Sequence, residues 1–243
     1  MDNKSIFKDT GFYIALAVLI SGILISLAVY FSNPQSKTTT GVNTSPVAVE
    51  SGAPSIAVDA SKIDTANDPV MGDPNAPLTM IYWYDFQCPY CKQFEEQTLK
   101  SLVDKYVNNS QMKIVFKDYA FLGPDSQDAA LVSNAIWELY PQDYFAWQEA
   151  MMANQDNENG GFGNMASIIA MIKEKFPQMD ATKIQDTINN KKAAYEAEIA
   201  ADTKEGQDNG VQGTPGFIIG TKSLFGAYPL DQFVSIIDGE LKK

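Results

Sequence analysis

The alternation of apolar and polar positions predicts a strand, a helix and a second strand near the middle of the chain. Residues 78–84 (LTMIYWY) are a β-branched and aromatic run after a turn-forming GDPNAP segment, which is typical of a buried strand. Residues 89–107 have helical spacing, and residues 112–117 (MKIVFK) read as a second strand. This order predicts two parallel strands joined by a right-handed crossover.

The helix predicted over residues 89–107 is amphipathic. Its apolar face is formed by Phe94, Leu99, Leu102, Val103 and Tyr106. The charged residues on the other side are expected to face solvent: Glu95, Glu96, Lys100, Asp104 and Lys105.

A long helical region follows at about 121–209, where four segments show helical spacing. Its methionine and aromatic positions are interpreted as core packing. The NGGFG segment at 159–163 lacks the Lys-Ser/Thr of a phosphate-binding loop and does not follow a strand, so it is interpreted as a loop between helices. Residues 217–219 and 223–225 then predict a hairpin, and residues 230–241 a closing amphipathic helix.

The N-terminal pattern differs from the rest of the chain. Residues 11–31 carry no charge, and at about 1.5 Å per residue they can cross the ~30 Å core of a membrane as a helix. Lys4 and Lys8 precede this run and only Lys37 follows within thirty residues, which favours a cytoplasmic N-terminus. Residues 1–31 are therefore predicted to be a cytoplasmic stub and an uncleaved signal-anchor. A cleaved signal peptide is the alternative, although the run ends in AVYFSNP rather than an A-x-A-like site.

A change of composition separates this anchor from the folded part. Residues 32–63 are rich in Ser, Thr, Pro, Gly and small apolar residues without a period, which predicts a flexible linker. Residues 64–243 are expected to form one folded domain.

The charge balance narrows the possible functions. The chain has 18 lysines, no arginine, no histidine and 30 carboxylates, for a net charge of −12. Nucleic acid is therefore not expected as a partner, because phosphate binding needs clustered cations. The absence of histidine excludes Ser-His-Asp and Cys-His catalysis and imidazole metal sites. The acidic surface leaves open a divalent cation, but no segment matches an EF-hand, and neither a metal nor a cofactor is predicted.

Cys88 and Cys91 are the only cysteines, and they form a CPYC box. A zinc site would need two further ligands, which only carboxylates could supply here. Covalent haem attachment needs a histidine after the second cysteine, where Lys92 stands. A structural disulfide would close a very short loop, and such a loop adds little to the stability of the folded state. A redox-active dithiol is the interpretation we favour.

The position of the box supports redox chemistry. Cys88 ends the strand-to-helix turn, and Pro89 takes the first helical position, where its missing N–H costs nothing. Free amides of the first turn and the helix dipole are expected to stabilise the Cys88 thiolate. Cys88 is therefore predicted to be the exposed attacking sulfur, and Cys91, one turn later, the shielded resolving sulfur.

The chain resembles the DsbA-like thiol:disulfide oxidoreductases of the thioredoxin superfamily over residues 64–243. The resemblance rests on GDPNAPLTMIYWYDFQCPYCKQF, on the AALVSNAIWELYPQDYFAWQEAMMANQ helices and on VQGTPGFIIG. It implies a thioredoxin-like α/β fold with a helical insertion at about 121–209. It also implies that Pro215 is a cis-proline opposite the dithiol and that Thr214 offers backbone groups to a substrate peptide. An ordinary trans turn at Thr214–Pro215 is the alternative.

Two positions near the cysteines differ from the family pattern, and a third matches it. The family often has a buried Glu six residues before the first cysteine, where this chain has Tyr82, so a buried carboxylate that accepts the Cys91 proton is in doubt. Asp85 matches a frequent acid of the family and is expected to cap the turn rather than transfer protons. Tyr90 replaces the histidine of the most oxidising members, which leaves the helix terminus and the phenol to stabilise the thiolate.

The predicted function is an exported, membrane-tethered enzyme that exchanges its Cys88–Cys91 disulfide with thiols of secreted proteins, most readily as an oxidant. The resemblance implies a membrane quinone-linked partner that regenerates the disulfide. One alternative is an extracytoplasmic reductase or isomerase. Another is a thioredoxin-fold binding module or chaperone with a static disulfide.

Overall fold

A five-stranded mixed sheet forms the centre of the structure, a computed structural model that describes residues 58–243. Its strand order is β1-β3-β2-β4-β5. The strands are β1 (Val70–Met71), β2 (Leu78–Tyr84), β3 (Met112–Asp118), β4 (Gly216–Ile219) and β5 (Lys222–Phe225). Strands β2 and β3 pair in parallel, as predicted, whereas β1 on β3, β4 on β2 and β5 on β4 are antiparallel.

The central strand β2 is buried on both faces, which explains its continuous apolar sequence. Successive side chains point to opposite faces of a strand. Tyr82 and Tyr84 belong to the larger apolar core, whereas Ile81 and Trp83 belong to a smaller core on the other side. In the ladder Tyr82 lies opposite Phe116 on β3 and Phe217 on β4, in the middle of the sheet.

Besides a short 3₁₀ turn, residues 58–243 form six helical elements. The first, α1, spans residues 89–107 as predicted, but two stretches of it, Glu95–Leu99 and Val103–Val107, are π-helical. The others are α2 (Pro124–Leu139), α3 (Tyr144–Asn154), α4 (Met165–Lys175), α5 (Ala181–Asp208) and α6 (Leu230–Glu240). Helices α2 to α5 form one insertion between β3 and β4, which confirms the thioredoxin-like α/β fold with a helical insertion.

The fold begins earlier in the chain than the sequence predicts. Residues 58–63 were assigned to the flexible linker, yet Val58, Ala60 and Ile63 are buried in the smaller core. A short 3₁₀ turn at Ala60–Lys62 begins at Asp59, and the Ala60 N–H donates to the Gly220 carbonyl at 2.8 Å. The last residues of the predicted linker therefore belong to the folded part, because they cover one face of the sheet.

The predicted anchor at residues 11–31 and the linker up to residue 57 lie outside the described residues. Within residues 58–243, no helix has the length and apolar character needed to cross a membrane.

Candidate functional site

Asp85 organises the turn between β2 and α1. Its carboxylate accepts hydrogen bonds from the Gln87 N–H at 2.8 Å and the Ser126 hydroxyl at 2.6 Å. It also accepts from the Phe121 and Leu122 N–H groups at 3.0 and 3.1 Å. Burial raises the pKa of Asp85, and these four hydrogen bonds oppose the rise. The structure thus places Asp85 as the cap of the turn and ties the turn to the start of the helical insertion.

Cys88 and Pro89 occupy the positions predicted for them. Cys88 is the N-cap of α1 and Pro89 its first residue, so the absent proline N–H leaves no unpaired donor. The Cys88 carbonyl accepts from the N–H groups of Cys91 and Lys92 at 3.1 and 3.2 Å. The first turn of the helix therefore brings the two thiols together.

The environment of Cys88 lowers its thiol pKa to about 6. The largest cause is a hydrogen bond with the Cys91 thiol, and Thr214 and the backbone N–H groups of Cys91 and Tyr90 add to it against the effect of burial. The backbone N–H groups of the helix terminus lower the pKa of Cys88 as predicted, but the Cys91 thiol lowers it more. At pH 7 the Cys88 sulfur is thus largely a thiolate.

Both cysteines are free thiols, and both are buried. Cys91 has no exposed surface, and burial, followed by the nearby Cys88 sulfur, raises the pKa of its thiol well above the ordinary range. Cys88 is only 4% exposed, so the prediction of an exposed attacking sulfur is wrong as a statement about surface area. The turn held by Asp85 and the loop at Thr214 cover it. What distinguishes the two thiols is their acidity.

Thr214 and Pro215 lie directly against the dithiol. The Thr214–Pro215 bond is cis, as the resemblance implies. In its protonated form the Cys88 thiol donates to the Thr214 carbonyl at 3.3 Å, across a separation of 126 residues. The loop before β4 and the start of α1 therefore form one site.

Tyr90 contributes through its backbone. Its side chain is 61% exposed, and it is its N–H group that stabilises the Cys88 thiolate. The expectation that the phenol stabilises the thiolate finds no support in this arrangement, since the ring points to the surface.

Two glutamines that the sequence reasoning missed hold the site to the helical insertion. Gln155 donates from its side-chain amide to the carbonyls of Phe86 and Cys88 at 2.7 and 3.1 Å. Gln87 accepts from the Asn159 N–H at 2.9 Å. Both contacts come from the loop after α3, which no local pattern near the cysteines could have indicated.

Glu95 is a third residue that was missed, and its predicted orientation is wrong. It was expected to face solvent, but its carboxylate accepts from the Tyr82 hydroxyl at 3.2 Å and from the Gln148 amide at 2.9 Å. Glu95 follows Cys91 by four residues, so both lie on the same side of α1. The spacing from Cys91 was the signal available in the sequence.

The family follows from a comparison with known proteins. A family model for thioredoxin matches residues 64–239. The chain belongs to the thioredoxin family. Within this family it is similar to the disulfide bond formation protein D of Bacillus subtilis, with 24% identity over 180 residues that cover 72% of this chain and 77% of the relative. A probable disulfide bond formation protein D of Bacillus cereus is also 24% identical, over 71% of this chain and 78% of the relative.

Solved structures of other proteins share the fold of this chain. The crystal structure of oxidised BdbD from Bacillus subtilis superimposes with a TM-score of 0.69 at 20% identity, covering 78% of this chain and 99% of that one. The thiol-disulfide exchange protein alpha-DsbA2 from Wolbachia pipientis gives a TM-score of 0.62 at 25% identity, covering 72% and 87%.

For a member of the thioredoxin family, the chemistry open to this site follows from the difference between its sulfurs. An acidic thiol supplies a thiolate nucleophile at neutral pH and is also a good leaving group. A buried, weakly acidic thiol beside it can complete an exchange within the same molecule. The site is thus suited to passing a disulfide between itself and a partner dithiol.

Proposed function

We propose that this protein is an exported, membrane-tethered thiol:disulfide oxidoreductase that forms disulfides in secreted proteins. One observation carries the proposal: the Cys88 thiol, with a pKa of about 6, lies against both the Thr214 carbonyl and the fully buried Cys91 thiol. The relatives named disulfide bond formation protein support the oxidising direction. Stabilising the Cys88 thiolate also favours the reduced enzyme, so the oxidised enzyme tends to accept electrons.

The proposed reaction has two exchange steps. A substrate thiolate attacks the Cys88 sulfur of the Cys88–Cys91 disulfide, and Cys91 leaves as a thiolate that takes up a proton. A second substrate thiolate then attacks the substrate sulfur of this mixed disulfide, and Cys88 leaves as a thiolate. Two electrons pass from the substrate to the enzyme, and the substrate gains one disulfide.

The cellular setting is part of the proposal. Residues 11–31 would anchor the protein, residues 32–57 would tether it, and the domain would face the extracytoplasmic side, where disulfides form. A quinone-linked membrane protein would reoxidise the dithiol.

The orientation is tested by proteolysis. Protease added outside intact cells should release the domain by cutting in the tether. A protected domain with an accessible tether after lysis would contradict this orientation.

The function is tested with the full-length protein and two variants. The wild type should oxidise a reduced, unfolded substrate faster than it reduces insulin, because its thiolate favours the reduced enzyme. Cys91→Ala should accumulate mixed disulfides with exported proteins, visible as high-mass bands that disappear on reduction, since it lacks the resolving thiol.

Cys88→Ala is the matched control and should trap few partners, because the remaining thiol is buried and weakly acidic. Faster insulin reduction would instead indicate a reductase. Inactivity in both assays, without trapping by either variant, would indicate a binding module.

A further inference from the structure

Two backbone carbonyls in the turn before α1 accept hydrogen bonds from a side chain of the helical insertion. The Gln155 amide nitrogen donates to the Phe86 carbonyl at 2.7 Å and to the Cys88 carbonyl at 3.1 Å. Phe86 and Cys88 are 3% and 4% exposed, so water has little access with which to replace these donors. Gln155, at the end of α3, therefore supplies hydrogen bonds that the turn needs.

The geometry fixes which end of the Gln155 amide faces the turn. Two carbonyl oxygens lie within hydrogen-bonding distance of the same amide atom. Only the nitrogen has two hydrogens to give, and an oxygen in its place would be repelled by both carbonyls. The positive end of the amide dipole is therefore directed at the turn that ends in Cys88.

The contact bears on the thiol because one of the two carbonyls belongs to Cys88 itself. A carbonyl oxygen carries a negative partial charge, which disfavours a thiolate on the same residue. The Cys88 carbonyl also accepts from the N–H groups of Cys91 and Lys92 at 3.1 and 3.2 Å. Those two donors belong to α1, whereas Gln155 lies 67 residues away in the sequence. Together the three donors offset the negative partial charge beside the sulfur.

The Lys92 side chain makes a reciprocal contact that does not replace the one from Gln155. Its ammonium donates to the carbonyls of Gln155 at 3.1 Å and Ala153 at 3.4 Å. These carbonyls lie at the C-terminal end of α3, where the helix dipole favours a cation. Lys92 thus attaches α1 to α3, while it is the Gln155 amide that reaches from α3 to the carbonyls beside the sulfur.

The two redox forms of the dithiol differ in how much they gain from these donors. In the reduced form the Cys88 sulfur is largely a thiolate at pH 7, whereas in the disulfide it carries no charge. A donor that offsets negative charge beside this sulfur therefore stabilises the reduced form more than the oxidised form. A more stable reduced form makes the disulfide a stronger oxidant.

We propose that Gln155 is a positioning residue that makes the Cys88–Cys91 disulfide a stronger oxidant, because its amide holds the two carbonyls of the preceding turn. The inference rests on the proposed function, since it concerns the direction in which the same two cysteines exchange. Gln155 acts through the turn and not by contact with a substrate. Part of the oxidising power then comes from the helical insertion rather than from the residues between the cysteines.

The test is the redox equilibrium of the full-length protein with glutathione. Two glutathione thiols reduce the Cys88–Cys91 disulfide and become one glutathione disulfide, so the reduced fraction at fixed glutathione ratios gives the equilibrium constant. Gln155→Met has about the same length and no donor, and its constant for reduction should fall at least about threefold. Gln155→Glu keeps the shape but turns a carboxylate towards the carbonyls, so its constant should fall further. The pKa of the Cys88 thiol, followed by the ultraviolet absorbance of the thiolate, should rise in the same order.

Matched changes at other glutamines separate this effect from a general one. Gln93 is an exposed residue of α1. Gln93→Met should leave the equilibrium constant unchanged, and Gln93→Glu should change it less than Gln155→Glu does. Gln87→Met removes another contact between the turn and the insertion, to the Asn159 N–H and the Phe162 carbonyl. This variant should have a lower free energy of unfolding and an equilibrium constant close to that of the wild type.

The outcomes separate a redox role of Gln155 from a structural one. If Gln155→Met keeps the wild-type equilibrium constant, or if Gln87→Met shifts it as much, the role of Gln155 is structural and the proposal is wrong. A constant that falls without a rise in the pKa of Cys88 also overturns the proposal, because the effect then does not act through the thiolate. Should Gln155→Met fail to fold, the comparison of Gln155→Glu with Gln93→Glu decides the same question.

The proposed function can fail separately. A wild type that does not oxidise a reduced, unfolded protein contradicts that function, whereas the equilibrium with glutathione is measured without a protein substrate.

Discussion

At the scale of single residues, each cysteine shifts the pKa of the other more than any backbone hydrogen bond does. The Cys91 thiol is the largest cause of the low pKa of Cys88, and the Cys88 sulfur in turn helps to raise the pKa of Cys91. Tyr90 and Thr214 contribute smaller effects on Cys88. The asymmetry that exchange chemistry needs is therefore a property of the pair.

This coupling predicts the behaviour of two substitutions at one position. Cys91→Ala removes the donor to the Cys88 thiolate, so the pKa of Cys88 should rise from about 6 towards the ordinary thiol range. Cys91→Ser keeps a donor hydroxyl and should raise the pKa less. The ultraviolet absorbance of the thiolate, followed with pH, measures both values. If the alanine variant keeps a pKa near 6, the backbone amides of the first turn are the main cause instead.

At the scale of elements, one lysine joins three parts of the chain. Lys117 of β3 is 3% exposed and its ammonium lies 2.7 Å from the carboxylates of both Asp68 and Asp202 and 3.2 Å from Glu205. Asp68 precedes β1, whereas the other two belong to α5. The Trp83 indole of β2 adds a hydrogen bond to the Asp202 carbonyl at 3.0 Å. The sheet, its edge and the long helix of the insertion thus share one buried polar cluster.

Removal of this lysine should destabilise the domain strongly. Lys117→Met leaves buried carboxylates without a counter-ion, which costs about 3–5 kcal/mol of unfolding free energy at pH 8. Lys113→Met on the same strand removes one exposed hydrogen bond, to the Pro74 carbonyl, and should cost no more than about 1.5 kcal/mol. Urea unfolding of both variants checks this. The unfolding free energy lost in Lys117→Met should become smaller towards pH 5, because the carboxyls take up protons. If Lys117→Met loses no more unfolding free energy than Lys113→Met does, the argument is contradicted.

The elements also show what the sequence could predict and what it could not. Strand β2 and helix α1 were predicted because their apolar patterns and the proline at position 89 act locally. The orientation of Glu95 was not, because the amphipathic pattern is dominated by Phe94 and its neighbours, and the attraction of Tyr82 and Gln148 comes from distant parts of the chain. The hydrogen bonds from the Gln155 amide to the Phe86 and Cys88 carbonyls were missed for the same reason. Strand β1, with two residues, is too short to have a pattern.

At the scale of the whole molecule, an acidic chain has buried several of its carboxyls. With a net charge of −12, it has few cations with which to pair them. Burial raises the pKa of Asp68 to about 7 and that of Glu95 to about 8, and it also raises the pKa values of Asp85, Asp118 and Asp202. The folded state therefore binds more protons than the unfolded state near neutral pH, whereas the acidic Cys88 thiol has the opposite effect.

These opposing groups predict that stability depends on pH differently in the two redox forms. The raised pKa values of Asp68 and Glu95 give stability that is fully present below about pH 4 and is lost as the pH rises through 7 and 8. The oxidised protein should therefore lose about 2–4 kcal/mol of unfolding free energy between pH 6 and 8. In the reduced protein the lowered pKa of Cys88 gives stability that is present above pH 9 and lost as the pH falls towards 6. It should offset about 2 kcal/mol of that loss. Denaturant unfolding of both forms at pH 6, 7 and 8 measures the difference, with Glu95→Gln as the control that removes part of the carboxyl effect. Parallel curves for the two forms would mean that Cys88 does not ionise in this range, and the acidity on which the proposed function rests would then be absent.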